Sequence, residues 1–326
     1  MPQINETIFA PELDGGEWLQ GGPLRLGEQR GRAVVLIDFW DYTCVNCIRS
    51  LPYVVGWDRR YREAGLVVVG VHAPEFTFAR EHGNVREAVA RFGIEYPVVL
   101  DNGYAIWRAF SNRCWPAKYL VDAHGRIRYY HFGEGAYHDS ERAIQRALAE
   151  LNPRFSAPPL MAPVRDTDRP GALCYRVTPE LYLGYARGQF GNPGGVVHDR
   201  AHDYADPGHH AEGIAYLGGR WIVGAESAGA GAAGASLALR YTGKDVNLVM
   251  APPAQGPVRV ELKLDADQRP GEDARPDSGM LLITVDRPRM YNLVANESVS
   301  AGALTLRARE PGLGAYAFTF VSCATE

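Results

Sequence analysis

The chain has 326 residues, of which 46% are hydrophobic and 22% charged, and its formal net charge is −4. This length is enough for two domains of ordinary size, and the charge argues against binding to nucleic acid or to an anionic membrane surface. No stretch approaches the roughly 18–20 consecutive apolar residues of a membrane span, and residues 1–10 lack a signal-peptide pattern. We therefore expect a cytoplasmic protein, or the soluble part of a longer exported or membrane-anchored chain.

Short apolar runs alternate with segments of helical spacing in the first half of the chain. The runs are typical of buried parallel strands and cover residues 33–39, 66–71 and 96–100. Helices are expected from about Val45 onward and over residues 84–92, 104–110 and 138–151. Residues 119–122 and 127–131 flank a turn and predict a hairpin. This order predicts a mainly parallel sheet with helices on both faces and an antiparallel edge, over residues 1–151.

The second half differs from the first in composition and periodicity. Residues 152–178 are rich in proline and predict a linker or an extended strap. From residue 179 to residue 326 helical spacing disappears, and nine short strand-like runs are separated by turns that contain glycine or proline. This pattern predicts an all-β sandwich or jelly roll. The small-residue run 225–235 is expected to be a flexible loop.

Only two of the five cysteines are close in sequence, namely Cys44 and Cys47. They follow the strand 33–39 directly and occupy the first turn of a helix, where unpaired N–H groups and the helix dipole favour an anion. We therefore expect a depressed pKa for Cys44 and predict that it is the nucleophile. Cys47, one helical turn later, would attack the mixed disulfide and release the reduced product.

The cysteine pair has two other interpretations. A zinc half-site would need a second Cys or His pair at ligand spacing, and residues 1–151 contain none. Two inert core cysteines do not suit the exposed junction of a strand and a helix. We therefore expect no metal there and no cofactor other than a redox-active disulfide. A histidine-rich cluster in the second half is either a metal site or a solvated loop, and we favour the loop; it contains His202, Asp203, His209 and His210.

The strings around these cysteines resemble the thioredoxin superfamily. FWDYTCVNCIRSLPYV, GVHAPEF, YPVVLDN and WPAKYLVDAHG together look like the thioredoxin-like domain of the DipZ type, which is related to TlpA and ResA proteins. TPELYLG and GAYAFTF resemble the β-sandwich module that follows in DipZ-type proteins and is similar to carbohydrate-binding modules. The resemblance implies an α/β thioredoxin-like fold, with a central mixed sheet flanked by helices, and a C-terminal all-β domain.

The resemblance also implies roles for individual residues. Pro116 matches the family's cis-proline, which would set the backbone of Trp115 beside Cys44, where a substrate strand can pair with it. Asp38 matches the buried acid beneath the disulfide; its pKa would be raised, and it could take the proton of Cys47. The alternatives are an ordinary trans proline and a solvated acid at a strand end.

Two further positions belong to the predicted site, and Cys114 lies near its rim. Trp40 matches the tryptophan packed against the redox loop, with a plain core aromatic as the alternative. Glu75 matches an acidic residue near the active site, with a surface charge as the alternative. Cys114 is either a reactive thiol at the rim or an inert one, and we favour the inert thiol. Cys174 and Cys323 are expected to be small buried hydrophobes.

The function expected from these features is that of a thiol–disulfide oxidoreductase that reduces protein disulfides. The alternatives are a thiol peroxidase, since Thr43 precedes Cys44, and a carbohydrate- or protein-binding protein on a thioredoxin scaffold. The implied partners are protein thiols and disulfides, an unidentified electron donor such as a membrane reductase, and a carbohydrate at the C-terminal domain. The resemblance also implies an extracytoplasmic or periplasmic location. Six aromatic residues are either a sugar-stacking platform or core: Tyr182, Tyr185, Tyr216, Trp221, Tyr241 and Tyr291.

Overall fold

The structure is a computed structural model that describes residues 8–169 and 172–324. It divides into two compact units, Met1–Val164 and Arg165–Glu326. Within the described residues, every helix is too short or too polar to cross a membrane.

The described part of unit 1 is a six-stranded sheet with helices on both faces. Its strands are β1 (Glu17–Gln20), β2 (Val34–Trp40), β3 (Leu66–His72), β4 (Val98–Leu100), β5 (Ala117–Val121) and β6 (Ile127–Phe132). Its α-helices are α1 (Leu26–Gln29), α2 (Val45–Tyr61), α3 (His82–Arg91), α4 (Ala105–Ala109) and α5 (Tyr137–Leu151). Short 3-10 helices cover Arg62–Ala64 and Thr77–Arg80. The strand order is β1-β4-β3-β2-β5-β6, so β2 lies inside the sheet.

The sheet is mixed, which confirms the fold class and corrects one detail of the pattern. β2 runs parallel to β3, and β3 to β4, but β1, β5 and β6 are each antiparallel to their neighbours. The expectation of a mainly parallel sheet was therefore wrong. The predicted sequence of elements also lacked β1, because EWLQ is short and partly polar and shows little strand periodicity.

Alternation along β2 divides its side chains between two cores. Leu36 and Trp40 face the cluster that includes residues of α2, α3 and α5. Ile37 and Phe39 face the opposite cluster, which includes residues of α1 and α4. Because both faces are covered, β2 reads as one continuous apolar run apart from Asp38. The interior position of β2 determines where the redox loop, residues 41–44, leaves the sheet.

The proline-rich segment after α5 packs on unit 1 up to residue 164. The N–H of Met161 donates to Glu141 Oε2 at 2.8 Å, and the N–H of Val164 donates to the hydroxyl of Tyr53 at 2.7 Å. Gln145 Nε2 also donates to the carbonyl of Pro158 at 2.8 Å. Residues 152–164 thus make the contacts of a strap across α2 and α5.

The described part of unit 2 is all β apart from the 3-10 helix Asp166–Asp168. Its first strands are β7 (Leu173–Cys174), β8 (Leu181–Tyr182), β9 (Ala201–Tyr204), β10 (Ala215–Val223), β11 (Ala228–Ala230) and β12 (Ser236–Ala251). The others are β13 (Val258–Leu264), β14 (Arg275–Asp277), β15 (Met280–Val285), β16 (Arg289–Ala308), β17 (Gly314–Phe320) and β18 (Cys323–Ala324). Ten of them form one antiparallel sheet around a single apolar core, which confirms the all-β prediction.

Two long strands each contain two of the predicted short runs. The predicted runs 237–241 and 246–250 are both parts of β12, and the runs 291–294 and 304–307 are both parts of β16. β12 and β16 pair along most of their length, with a register shift near Gly243. The first part of β12 pairs with β10 and its last part with β17. Because β11 pairs with both β10 and β17, these four strands form a closed ring of pairings.

The centre of the small-residue run is a strand. β11 lies between β10 and β17, and Ala228 and Ala230 are buried in the core of unit 2. Short side chains allow this strand to lie deep inside the unit. The expectation of a flexible loop over 225–235 was therefore wrong at its centre.

The predicted aromatic platform is mostly core. Tyr216, Trp221, Tyr241 and Tyr291 are buried, and the indole N–H of Trp221 donates to the carbonyl of Gly218 at 3.0 Å. Burial on this scale leaves these rings no face for a sugar.

Tyr182 and Tyr185, the other two aromatics, are only partly buried and are held by neighbours. The guanidinium of Arg187 lies 3.7 Å from the centre of the Tyr182 ring. Tyr185 stacks on His198 with ring centres 4.0 Å apart. A neighbouring side chain therefore covers one face of each ring.

The histidine-rich cluster makes separate contacts. Asp203 pairs with Arg220, and His210 pairs with Asp206. His202 meets Tyr204 edge to face. Among residues 8–169 and 172–324, no group of three or more His, Cys, Asp or Glu side chains is arranged to hold a metal ion.

Cys174 differs from its expected state. It is exposed and disulfide-bonded, so it is not a small buried hydrophobe. Its strand β7 pairs with β18, in which Cys323 is opposite Cys174. The prediction for the Cys323 side chain lies outside the described residues.

Candidate active site

Cys44 and Cys47 lie at the junction of β2 and α2. Cys44 is the N-cap residue of α2, with φ −77° and ψ 116°, and the N–H of Cys47 donates to its Sγ at 3.4 Å. The N–H of Ile48 donates to the carbonyl of Cys44 at 3.0 Å and begins the helix. Both cysteines are free thiols. Cys44 is half-buried whereas only 1% of Cys47 is exposed, so an incoming disulfide can reach Cys44 first.

The surroundings of Cys47 disfavour its thiolate form. Burial raises the pKa of Cys47 well above its usual value. The hydrogen bond to Cys44 and the charge of Cys44 raise it further, and Asp38 adds a smaller effect in the same direction. Cys47 therefore needs a base to become a thiolate when it attacks.

Asp38 lies beneath the pair, in the middle of β2. It is 1% exposed, and its Oδ1 is 3.6 Å from Nζ of Lys118, which is fully buried. The two residues are directly opposite in the antiparallel pairing of β2 with β5. Burial raises the pKa of Asp38 to about 6, and the charge of Lys118 offsets part of that effect. The sheet thus encloses a carboxyl group that titrates close to neutral pH.

Pro116 and Trp115 lie where β5 begins. The Trp115–Pro116 peptide bond is cis, as the sequence predicted. Ala117, the next residue, is opposite Phe39 near the end of β2, which places Pro116 at the edge where the redox loop begins. The indole N–H of Trp115 donates to the carbonyl of Ala73 at 3.0 Å. A second cis bond, Gly22–Pro23, was not predicted.

Trp40 and Glu75 occupy different depths. Trp40 is fully buried and meets His72 edge to face, with ring centres 5.1 Å apart. We therefore assign it a packing role beneath the redox loop and not a contact with substrate. Glu75 is half-buried, and its backbone N–H donates to Oδ2 of Asp41 at 2.9 Å. The loop that contains Glu75 is thereby held against the redox loop.

Two family models match separate parts of the chain. A model described as Redoxin matches residues 14–148, and one described as Thioredoxin like C-terminal domain matches residues 178–320. The protein DipZ of Mycobacterium tuberculosis is 35% identical over 324 residues, which are 98% of this chain and 44% of DipZ. The thiol-disulfide oxidoreductase YkuV of Bacillus subtilis is 34% identical over 142 residues, which are 43% of this chain and 94% of YkuV.

The chain belongs to the thioredoxin-like thiol–disulfide oxidoreductases. It spans less than half the length of DipZ. The thiol-disulfide oxidoreductase ResA of Halalkalibacterium halodurans is 33% identical over 36% of this chain and 63% of ResA. Among solved structures, a thioredoxin-like protein in its oxidised form is 30% identical, with a TM-score of 0.41, over 44% of this chain and 97% of that protein.

Sequence reasoning missed three residues of this oxidoreductase site: Lys118, Asp41 and His72. Lys118 is a lone charge inside the apolar strand AKYLV, and that contrast was an available signal. Asp41 and His72 are fully buried, with Asp41 Oδ2 and His72 Nε2 3.6 Å apart. Burial lowers the pKa of His72 to about 3, so the ring is neutral at physiological pH.

Cys114 lies at the rim of the same site. Its Sγ is 3.8 Å from the carbonyl oxygen of Pro116, and the thiol is half-buried. Burial raises the pKa of Cys114, and the charge of Cys44 acts in the same direction. At neutral pH both effects favour the less reactive thiol form.

Proposed function

We propose that this protein reduces disulfides of other proteins, with Cys44 as the nucleophile and Cys47 as the resolving thiol. The observation that supports this most directly is the difference in exposure between the two sulfurs, since Cys44 is half-buried and Cys47 is buried. The N–H of Cys47 on Cys44 Sγ stabilises negative charge on the sulfur that attacks.

The reaction has two exchange steps. The Cys44 thiolate attacks one sulfur of the substrate disulfide, which forms a mixed disulfide and releases the other substrate sulfur as a thiolate. The Cys47 thiolate then attacks Cys44 Sγ, and the second substrate thiolate leaves. The substrate gains two electrons, and the Cys44–Cys47 pair becomes a disulfide that an electron donor must reduce before the next turnover.

Asp38 is proposed to accept the proton of Cys47 before the second step. Its pKa of about 6 leaves it mostly ionised at pH 7 and still basic enough to hold a proton. The Asp38 charge affects the pKa of Cys47, so the two groups are close enough to interact. Lys118 keeps the carboxyl group ionised at neutral pH.

Substrate binding is proposed at the loops around Cys44. The backbone of Trp115, next to the cis bond, would pair with an extended strand of the substrate. Glu75, which is partly exposed, would meet the substrate on the side of the loop that follows β3. Trp40 would support this surface from below.

The remaining proposals concern organisation and partners. We propose a redox domain over residues 1–151, a strap over 152–178 and a binding module over 179–326; the two family matches fall inside the first and nearly inside the last. We also propose an extracytoplasmic location, a membrane reductase as electron donor and a carbohydrate ligand for the module, as the resemblance to DipZ-type proteins implies; the carbohydrate would bind away from the four buried aromatic rings. Protein dithiols and disulfides remain the proposed substrates, without a cofactor other than the cysteine pair.

Reduction of insulin by dithiothreitol tests the function. We expect the full chain to accelerate the reaction and Cys44→Ser to abolish the acceleration. Cys47→Ser should accumulate a mixed disulfide that survives until it is reduced chemically. Cys114→Ser is the matched control and should behave as the unaltered protein does.

Three outcomes would contradict the proposal. Full activity of Cys44→Ser would remove the assigned nucleophile. Rapid turnover of hydrogen peroxide without insulin reduction would indicate a thiol peroxidase. Glycan binding without any disulfide exchange would indicate a binding protein that uses the thioredoxin fold as a scaffold.

A further inference from the structure

Asp41 is a fully buried carboxylate between β2 and the redox helix α2. Its Oδ1 accepts the backbone N–H of Thr43 at 2.7 Å and also the hydroxyl of Thr43. Its Oδ2 accepts the N–H of Glu75 at 2.9 Å. One side chain therefore connects the redox loop, residues 41–44, to the loop that follows β3.

A second connection extends this arrangement to the start of β5. The N–H of Ala73 donates to the carbonyl of Trp40 at 3.1 Å, and the carbonyl of Ala73 accepts the indole N–H of Trp115 at 3.0 Å. The loop after β3 is thus held by Asp41 on one side and by Trp115 on the other. One network of hydrogen bonds therefore joins the redox loop, the loop after β3 and the start of β5, and Asp41 is the carboxylate in that network.

In the part of the chain that the structure describes, the carboxylate of Asp41 has no Lys or Arg partner. Among the described residues, the basic side chain within 4 Å of its carboxylate is His72, at 3.6 Å, and His72 is neutral because burial lowers its pKa to about 3. The other titratable groups near Asp41 are Glu75, after β3, Tyr42 and Cys44 in the redox loop, and Cys47, whose pKa a backbone hydrogen bond from Asp41 lowers. Burial raises the pKa of Asp41, and the hydroxyl of Thr43 together with the N–H groups of Glu75 and Thr43 offsets part of that effect. These three donated hydrogen bonds stabilise the ionised carboxylate.

The start of α2 would otherwise favour a thiolate. Unpaired N–H groups at a helix N-terminus stabilise an anion, and a thiolate at this position is the usual reason for a depressed cysteine pKa. Here a carboxylate that is already negative accepts the Thr43 N–H directly before the helix. A second negative charge on Cys44 is therefore less favourable than the position in the fold alone implies.

We propose that Asp41 is a positioning residue that lowers the reduction potential of the Cys44–Cys47 pair. Its fixed negative charge opposes the Cys44 thiolate, so the dithiol state is destabilised relative to the disulfide. A dithiol–disulfide pair whose reduced state is stabilised is a strong oxidant, and Asp41 acts in the opposite direction. The inference rests on the proposed function, because a low potential is what a donor of electrons to protein disulfides requires.

The test is the redox equilibrium of the full chain with dithiothreitol, measured at a pH above the alkylation midpoint of Cys44. Asp41→Asn keeps the size of the side chain and removes its charge. We expect its equilibrium to move toward the dithiol about tenfold, which corresponds to about 30 mV. The pH midpoint for alkylation of Cys44, followed by mass spectrometry, should fall by about one pH unit, since a tenfold change corresponds to one pKa unit.

Two controls separate the charge from the structure. Thr43→Ser changes the redox loop beside the same carboxylate but keeps the hydroxyl that Asp41 accepts, and we expect a potential close to that of the unaltered protein. Asp122→Asn removes a buried carboxylate at the hairpin between β5 and β6, where its Oδ1 accepts the N–H groups of His124 and Arg126. It should also leave the potential unchanged. If Asp41→Asn does not fold, Asp41→Ser provides a second neutral side chain that can accept a hydrogen bond.

The outcomes are distinguishable from failure of the proposed function. If Cys44 and Cys47 form no disulfide in the unaltered protein, the proposed function itself is wrong. If they do, and a folded neutral variant at position 41 keeps the same potential and the same alkylation midpoint, the inference about Asp41 is overturned. An equal change in Thr43→Ser would show that loop position and not charge sets the potential, and would also overturn it.

Discussion

Replacing both members of the buried pair with neutral residues, Asp38→Asn with Lys118→Met, should stabilise unit 1 while it slows disulfide reduction. The ordinary pKa of aspartate is 3.8, and that of Asp38 is about 6 in the folded protein. At about 1.36 kcal/mol per pKa unit, the native state is destabilised by roughly 3 kcal/mol once Asp38 is ionised. Replacing a buried ion pair by neutral side chains of similar volume commonly stabilises by about 1–4 kcal/mol, which is the same order.

The sign of the pH dependence follows from the direction of the shift. Between pH 3.8 and about 6 the folded state binds more protons at Asp38 than the unfolded state does, so this carboxyl group lowers the free energy of unfolding as the pH rises. The variant should therefore exceed the parent by roughly 3 kcal/mol at pH 7–8 and by little at pH 4. The difference between variant and parent must be used, because the low pKa of His72 gives both proteins an opposing trend.

Urea denaturation followed by tryptophan fluorescence is the assay. Five of the six tryptophans belong to residues 1–164, so the signal reports mainly on unit 1. An increased midpoint with an unchanged slope measures stability, and insulin reduction measures the loss of proton transfer. A variant that is less stable at pH 7, or a difference that does not vary with pH, would refute the assignment of Asp38 and Lys118. Undiminished activity would refute the role of Asp38 as proton acceptor.

The remaining predictions address other parts of the molecule. Trp115→Phe loses the hydrogen bond to Ala73 and should raise KM for insulin severalfold with a smaller effect on kcat; an equal loss in a small-disulfide assay would contradict a role in binding the substrate chain. The imidazole protons of His72 should show no titration in NMR spectra between pH 5 and pH 8, since its pKa is about 3; a titration there would show that the ring is not buried. Ala228→Leu should destabilise unit 2 by about 1–3 kcal/mol through overpacking of β11, measured by calorimetry, and an unchanged transition would show that β11 is not part of the core.

Periodicity predicted most of the fold because both units bury their strands in a regular way. The run 33–39 is apolar on both faces, which is typical only of a strand covered on both sides, and the structure has β2 there. Periodicity failed where side chains contribute little to it. The small-residue strand β11 and the short strand β1 have too few large apolar residues to show alternation.

Helix boundaries show a similar limit. Asn84 was within the predicted helix 84–92, but α3 begins at His82, after an N-cap residue, Glu81, that makes no side-chain capping bond. The amide of Asn84 instead donates to the carbonyl of Phe78 at 2.9 Å. The preceding 3-10 helix Thr77–Arg80 directs the chain into α3, and such a tertiary arrangement has no signature in local sequence.

The candidate site likewise contains residues that local sequence predicts and residues that only strand pairing brings together. The positions of Cys44 and Cys47 follow from a strand that leads directly into a helix, and that order is visible in the sequence. Lys118 is separated from Asp38 by 80 residues, and the two meet only because β5 runs antiparallel to β2 in one particular register. A shift of one residue would place Lys118 on the opposite face. Sequence alone therefore locates the sulfurs, whereas the groups that govern their protons depend on the pairing of the sheet.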